Sequence, residues 1–269
     1  MRIGIVGLGL MGASIAKALK KNTTHFIAGA DIDHRVASQA LREGVINEVD
    51  GIKRCDVVYC CINPRAAVEY IRDASFYQGA VVTDICGVKR FLSKSVSRLL
   101  KENKVRYVGS HPMAGREEGG YANSSAELFT GASYIICRDE YSDEEAVSLL
   151  AGLARDMGFA HISYSTPQEH DRVIAYTSQL AHVVSNAYVK NPLAQKKGFS
   201  AGSFEDLTRV ARLDPKMWAE LFIENEDNLC EDIDIIIEKL MEIRGAAANK
   251  DWLKLHNLLK EGSDIKQGL

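Results

Sequence analysis

The chain has 269 residues, with 33 lysines and arginines against 36 aspartates and glutamates and a formal charge of −3 at pH 7. That balance gives no general attraction for nucleic acid or an anionic lipid surface, and no apolar run of about 18 residues is present to span a bilayer. With 46% apolar and 26% charged residues, the composition is that of an ordinary soluble protein of one large domain or two small ones.

In chain order, short apolar runs at 2–6, 26–30, 56–61, 80–84 and 105–109 read as strands. Amphipathic helical patterns at 12–21, 35–43, 65–73 and 88–102 lie between them. This rhythm predicts a doubly wound parallel sheet joined by right-handed crossovers. "SYIICR" (133–138), a helix near 143–157 and "AHISYS" (160–165) are expected to extend the same layer. After that the period changes. "TPQE" reads as a capping box, with Thr166 as N-cap, Pro167 at the first helical position and Glu169 reaching back.

Everything beyond reads as helix, at 167–190, 203–212, 215–244 and 249–261, with Asp214-Pro215 opening the longest. The expected division is therefore an α/β dinucleotide-type domain over 1–165 and an all-helical domain over 166–269. A helical domain of that size has little core of its own. The segment "DNLCEDIDIIIEKLMEIRGAAA" is apolar over a wide arc. A symmetric homodimer through the helical half is expected, the alternative being packing on the chain's own α/β domain.

The six cysteines form no C-x-x-C pair, and Cys60 and Cys61, adjacent on a strand, point to opposite faces. They read as buried, reduced thiols of a cytoplasmic protein, and neither they nor the seven histidines show metal-ligand spacing. The opening "MRIGIVGLGLMGASIA" has the look of a signal peptide, but its glycines follow another rule.

Gly7, Gly9 and Gly12 of "GLGLMG", with Leu8, Leu10 and Met11 between them, form G-x-G-x-x-G between the first strand and the first helix. The first glycine makes the turn, the second admits a pyrophosphate, and the third lets helix and strand pack closely. Asp31 ends the second strand, where a carboxylate accepts the ribose hydroxyls of NAD and repels a 2′-phosphate. A Rossmann-type NAD site follows, with Arg35 either contesting that preference or serving as a solvated helix residue.

Three further features carry chemistry. His111 in "GSHPMAGREEGG" follows the fifth strand at the carboxyl edge of the sheet, with Pro112 stiffening its backbone. It is either an acid–base group or a strand-end histidine satisfied by a carbonyl. In the helix 167–190, Asp171, Ser178, His182 and Ser185 share one stripe. Val173, Tyr176, Leu180, Val184 and Ala187 make an apolar face, so the polar ridge meets water by default or else lines a pocket. Arg209 has Glu205 and Asp206 within helical reach and is either a surface ion pair or a fork for a substrate carboxylate.

"GSHPMAGRE", "HDRVIAYTSQLAHVV" and "GSFEDLTRVARLDPKMW", in that order after the glycine loop, resemble the signatures of the prephenate and arogenate dehydrogenases of tyrosine biosynthesis. The resemblance implies an NAD(P)-dependent oxidative decarboxylation in which His111 accepts the proton of the substrate hydroxyl. It further implies that Arg209 grips a substrate carboxylate, that His182 is a second pocket histidine, and that Glu117 belongs to the histidine loop. Dimerisation through the helical half is implied as well.

Two departures stand out. Gly87 of "DICGVK" occupies the place of a serine that often bonds the family's catalytic histidine, and Gln179 of "SQLAH" replaces a histidine of the substrate pocket. An orienting hydroxyl is expected from Ser110 or water, if any exists. Prephenate is the expected substrate, with arogenate as the alternative. A β-hydroxyacid dehydrogenase or a non-catalytic NAD-sensing dimer is the more distant reading.

Overall fold

The alternating patterns of the first half wind into one parallel sheet in the computed structural model, which describes residues 1–116, 118–196, 198–199 and 201–268. Its strands are β1 (Arg2–Val6), β2 (Phe26–Ala30), β3 (Glu48–Val49), β4 (Val57–Cys60), β5 (Val81–Asp84) and β6 (Arg106–Tyr107). Their order is β3-β2-β1-β4-β5-β6, so the connections reverse between β1 and β4, which is where such sheets open a ligand crevice. Helices α1 (Leu10–Asn22), α2 (His34–Arg42), α3 (Pro64–Asp73) and α4 (Arg90–Glu102) cover the two faces. The apolar residues of β1 and β4 alternate between two cores: Ile3, Ile5 and Tyr59 on one side, Val6, Val58 and Cys60 on the other.

The layer does not continue as expected. After Val108, whose N–H still donates to Val82 O at 3.1 Å, the chain enters a second sheet. There β7 (Gly109–Met113) pairs antiparallel with β8 (Ser133–Cys137), and β9 (His161–Ser165) pairs parallel with β8, after α5 (Glu144–Asp156). His111 therefore lies inside a strand rather than beyond one. Pro112 is tolerated because β7 is an edge strand, where a missing N–H breaks no ladder bond on the open side.

The second half is helical: α6 (Pro167–Ile174), a π turn (Ala175–Gln179), α7 (Leu180–Tyr188), α8 (Gly202–Thr208), α9 (Pro215–Ile223), α10 (Glu226–Ala248) and α11 (Trp252–Gln267). Thr166 caps α6 by accepting the Glu169 N–H at 3.2 Å. The capping box is only half made, because the Glu169 carboxylate accepts from Ser165 Oγ at 2.8 Å instead of reaching back. The helix expected over 215–244 is two, broken at the fully buried Asn225.

The π turn also interrupts the single helix expected over 167–190. It spends one extra residue, so a 3.6 period does not carry through it. Val173 and Tyr176 of the expected apolar face are 51% and 66% exposed in the single chain, while Asp171 and Ser185 of the polar stripe are buried. Of the cysteines, Cys230 on α10 is exposed, contrary to expectation, while Cys55, Cys60, Cys86 and Cys137 are buried and Cys61 nearly so. Burial pushes the Cys55 thiol up to about 11 and that of Cys137 to about 12. Among the described residues no helix is long and apolar enough to cross a membrane.

Candidate active site

The glycine loop is built for close approach. Gly7 has φ +89°, and a Cβ there would meet Cys61 O at 2.6 Å. A Cβ on Gly12 would stand 1.9 Å from Gly7 O, so α1 is seated directly on the end of β1. Around Gly9 nothing lies within 4 Å of a Cβ position, which leaves room for a ligand against bare backbone. Gly9 is the N-cap of α1 and brings no side-chain cap, so the first-turn N–H groups remain available to an anion.

Asp31 ties this loop to the end of β2. Its carboxylate accepts the Leu8 N–H at 2.7 Å and the Asp33 N–H at 2.8 Å. A carboxylate has about four lone-pair positions, so acceptor capacity for ribose hydroxyls is left. Arg35 does not contest it. Its guanidinium pairs with Asp33 through Nε at 3.0 Å and Nη2 at 2.8 Å and is a surface helix residue, with its side chain 91% exposed.

His111 stands beside the carboxyl end of β5. Side chains alternate along β7, so Ser110 turns inward and His111 to the opposite face. Ser110 Oγ donates to Asp84 O at 2.8 Å and accepts from Tyr134 OH at 2.7 Å and Thr83 Oγ1 at 3.0 Å. Ser110 is thus fully occupied in pinning β7 to β5 and β8, and it does not orient the histidine. The partner of His111 is His170 of α6: Nδ1 and Nε2 are 2.9 Å apart, with the rings edge-on at 62°. Among the described residues Nε2 of His111 makes no hydrogen bond. Burial above all, with the nearby Lys89 ammonium in support, pushes its pKa well below the ordinary imidazole value.

His170, which the sequence reading passed over, is 2% exposed. Its Nδ1 lies 2.7 Å from Asp171 Oδ1. Asp171 in turn accepts the N–H groups of Lys89, at 2.7 Å, and Arg90, at 2.9 Å, where α4 begins. Below, the buried Lys89 ammonium pairs with Asp84, which also accepts from Tyr107 OH at 2.6 Å. The one visible signal for His170 was an adjacent His-Asp in the first turns of a helix. Its partner is 59 residues away in another layer.

The remaining expected residues divide. His182 of α7 stacks on Trp218, with ring centroids 3.7 Å apart, and its Nδ1 lies 2.9 Å from Val210 O. Arg209 opens the short 3-10 turn Arg209–Ala211 and is close enough to help depress the His182 pKa, after burial. These two lie near one another. Gln179 does not join them: it is 1% exposed, its Nε2 donates to Leu221 O at 3.3 Å, and its Oε1 accepts from Asn225 at 2.9 Å. Its amide is committed to helix packing, because Asn225 also donates to Asp171 O at 2.8 Å and draws Gln179 into the network beneath His170. Glu117 lies outside the described residues. A Cβ on Gly87 would stand 4.0 Å from His111 Cε1 and 3.4 Å from Leu221, so the glycine faces the histidine and leaves the place of a hydroxyl empty.

Comparison with known proteins agrees with this architecture. Residues 15–163 match the family model described as prephenate dehydrogenase, nucleotide-binding domain, and residues 166–261 match its dimerization domain. The prephenate dehydrogenase of Bacillus subtilis (strain 168) is 30% identical over 98% of this chain and 75% of its own length. The crystal structure of prephenate dehydrogenase from A. aeolicus, in complex with hydroxyphenyl propionate and NAD+, superposes with TM-score 0.89 at 28% identity, covering 100% of this chain and 98% of that one. Synechocystis arogenate dehydrogenase superposes at 0.84 with 25% identity and full coverage of both chains. On the two family models and this agreement along the whole chain, the protein belongs to the prephenate dehydrogenase family.

Proposed function

We propose that this chain catalyses the NAD-dependent oxidative decarboxylation of prephenate to 4-hydroxyphenylpyruvate. The observation that carries the chemistry is His111: part-buried, held by one ring nitrogen, its other nitrogen without a hydrogen bond among the described residues. Because its pKa is depressed, the imidazole is neutral near pH 7 and ready to accept a proton.

The nucleotide fits the glycine cradle, with the pyrophosphate over Gly9 and the open first turn of α1 and the ribose hydroxyls at Asp31. When bound, NAD supplies the acceptor for the hydride that leaves the ring carbinol carbon. His111 Nε2 takes the hydroxyl proton as that carbon becomes a carbonyl. Carbon dioxide then leaves the quaternary ring carbon, its bonding electrons make the ring aromatic, and the imidazolium can return the proton to the phenolate oxygen. Arg209 pairs with a substrate carboxylate, and His182, braced on Trp218, lines the same end of the site.

The division of labour follows the chain, with residues 1–165 holding the nucleotide and 166–269 completing the substrate pocket and the dimer. The groove lined by Val173, Tyr176, Leu180, Ile235 and Ile236 on the outer side of α6 and α10 supports a homodimer through the helical half. Cytoplasmic placement suits the exposed thiol of Cys230.

The test is NADH formation with prephenate and with arogenate. His111→Asn is expected to lower kcat by about 10²–10⁴ with the KM for NAD unchanged. A loss of less than about tenfold returns His111 to a strand-packing role. A kcat/KM for arogenate above that for prephenate reassigns the substrate.

A further inference from the structure

The hydrogen-bond directions around His111 can be assigned from the far end of its network. The Asp171 carboxylate faces four donors: Lys89 N–H and the His170 ring nitrogen on Oδ1, and Arg90 N–H and Nε, the last at 3.4 Å, on Oδ2. A carboxylate has about four acceptor positions, so this one has none left over and no role as a donor. His170 Nδ1 must therefore carry a proton and donate it to Asp171. In a neutral imidazole the other nitrogen is then a bare acceptor. His170 Nε2, 2.9 Å from His111 Nδ1, can only accept, so His111 Nδ1 must carry the hydrogen. Its Nε2 is left with a lone pair.

We propose that His170 and Asp171 are positioning residues that fix His111 as its Nδ1–H tautomer and so present the Nε2 lone pair to the substrate hydroxyl. This rests on the reading of His111 as the proton acceptor. It also answers the departure at Gly87, where no hydroxyl stands against the histidine: an imidazole from α6 makes the orienting contact instead.

The surroundings keep His170 neutral, as the logic requires. It is buried, and burial outweighs the opposing pull of Asp171, so its pKa lies below the ordinary imidazole value. The buried Lys89 ammonium, although paired with Asp84, further opposes a second cation there. A cationic His170 would donate from both nitrogens. His111 Nδ1 would then have to accept, its proton would move to Nε2, and the base would be lost. The anchoring is rigid at each step: Asp171 of α6 is fully buried against the start of α4, and Asn225 fastens its backbone carbonyl to the α9–α10 junction.

Long-range proton–nitrogen correlation NMR on the unaltered protein reads the tautomer directly. The expected result is a protonated Nδ1 and a bare Nε2 on His111, with the signals identified by their loss in His111→Asn. A protonated Nε2 overturns the proposal whatever His111 does in catalysis. Kinetically, His170→Leu is expected to lower kcat on the order of 10²-fold with the KM for NAD within about twofold, as when a supporting partner of a working histidine is removed. His170→Gln, which returns a carbonyl acceptor near the lost nitrogen, is expected to recover part of that loss. Full kcat in His170→Leu beside a crippled His111→Asn overturns the positioning role and leaves the base intact. Full kcat in both variants removes the base itself. Should His170→Leu fail to fold, the spectrum of the unaltered protein still decides.

Discussion

Gly9 and Gly12 are three residues apart, at the cap and in the first turn of α1, yet alanine at the two positions should fail in different ways. A Cβ at Gly12 would lie 1.9 Å from the carbonyl oxygen of Gly7 and 3.0 Å from Cys61 Cβ. Both obstacles are backbone or backbone-proximal atoms that cannot swing aside. Restoring an ordinary contact means moving α1 off the end of β1 by more than about 1 Å, at an overpacking cost of about 1–3 kcal/mol or more. For a chain of this size that lowers Tm by roughly 3–10 °C. A displacement of about 1 Å at the nucleotide should also cost on the order of 10²-fold in NAD affinity. At Gly9 a Cβ meets nothing within 4 Å, so Gly9→Ala should leave Tm unchanged. It would nonetheless occupy the space assigned to the pyrophosphate and weaken NAD binding about as severely. Thermal unfolding without ligand, beside NAD titration by calorimetry, separates the two. Gly9→Ala binding NAD as the unaltered chain does would refute close approach at that glycine. An unchanged Tm for Gly12→Ala would refute the tight seating of α1.

Arg209→Gln removes a charge-assisted pair with a substrate carboxylate worth about 1.5–3 kcal/mol, so the substrate KM should rise about 10–150-fold with the KM for NAD unmoved; a change within about twofold rejects the clamp. Burial lowers the pKa values of His111, His170 and His182, so below the unfolded value near 6.5 the unfolded chain takes up protons that the folded chain refuses. Stability is then held above about pH 6.5 and lost progressively as the pH falls below it towards the folded values. Thermal unfolding across pH 7.5 to 5 checks this, and a Tm flat or rising on acidification contradicts it. Tyr176→Glu places a charge on a side chain 66% exposed in the single chain and should leave its fold intact while shifting gel-filtration elution to a monomer; an unchanged elution volume excludes this face from the interface.

The nucleotide half was legible because its determinants are local. Gly7, Gly9, Gly12 and Asp31 fall within a single strand–helix–strand unit, and the turn, the open helix terminus and the acidic strand end each need only neighbours in sequence. The same holds for Thr166 and Pro167, which open α6 from within one turn. His111 was recognisable as a candidate, but not its working state. That depends on His170, 59 residues on, and on Asp171, whose carboxylate is held by N–H groups 81 and 82 residues away at the start of α4. Periodicity did not carry along the expected 167–190 helix, because the π turn at Ala175–Gln179 changes the angular step between α6 and α7. Gln179 and Asn225 look like ordinary polar helix residues until three helices meet and bury them against one another. A sequence carries the chemistry that a few adjacent residues complete. The direction of a proton along His111, His170 and Asp171 is set only when β7, α4 and α6 are packed, since each donor takes its role from an acceptor on another element.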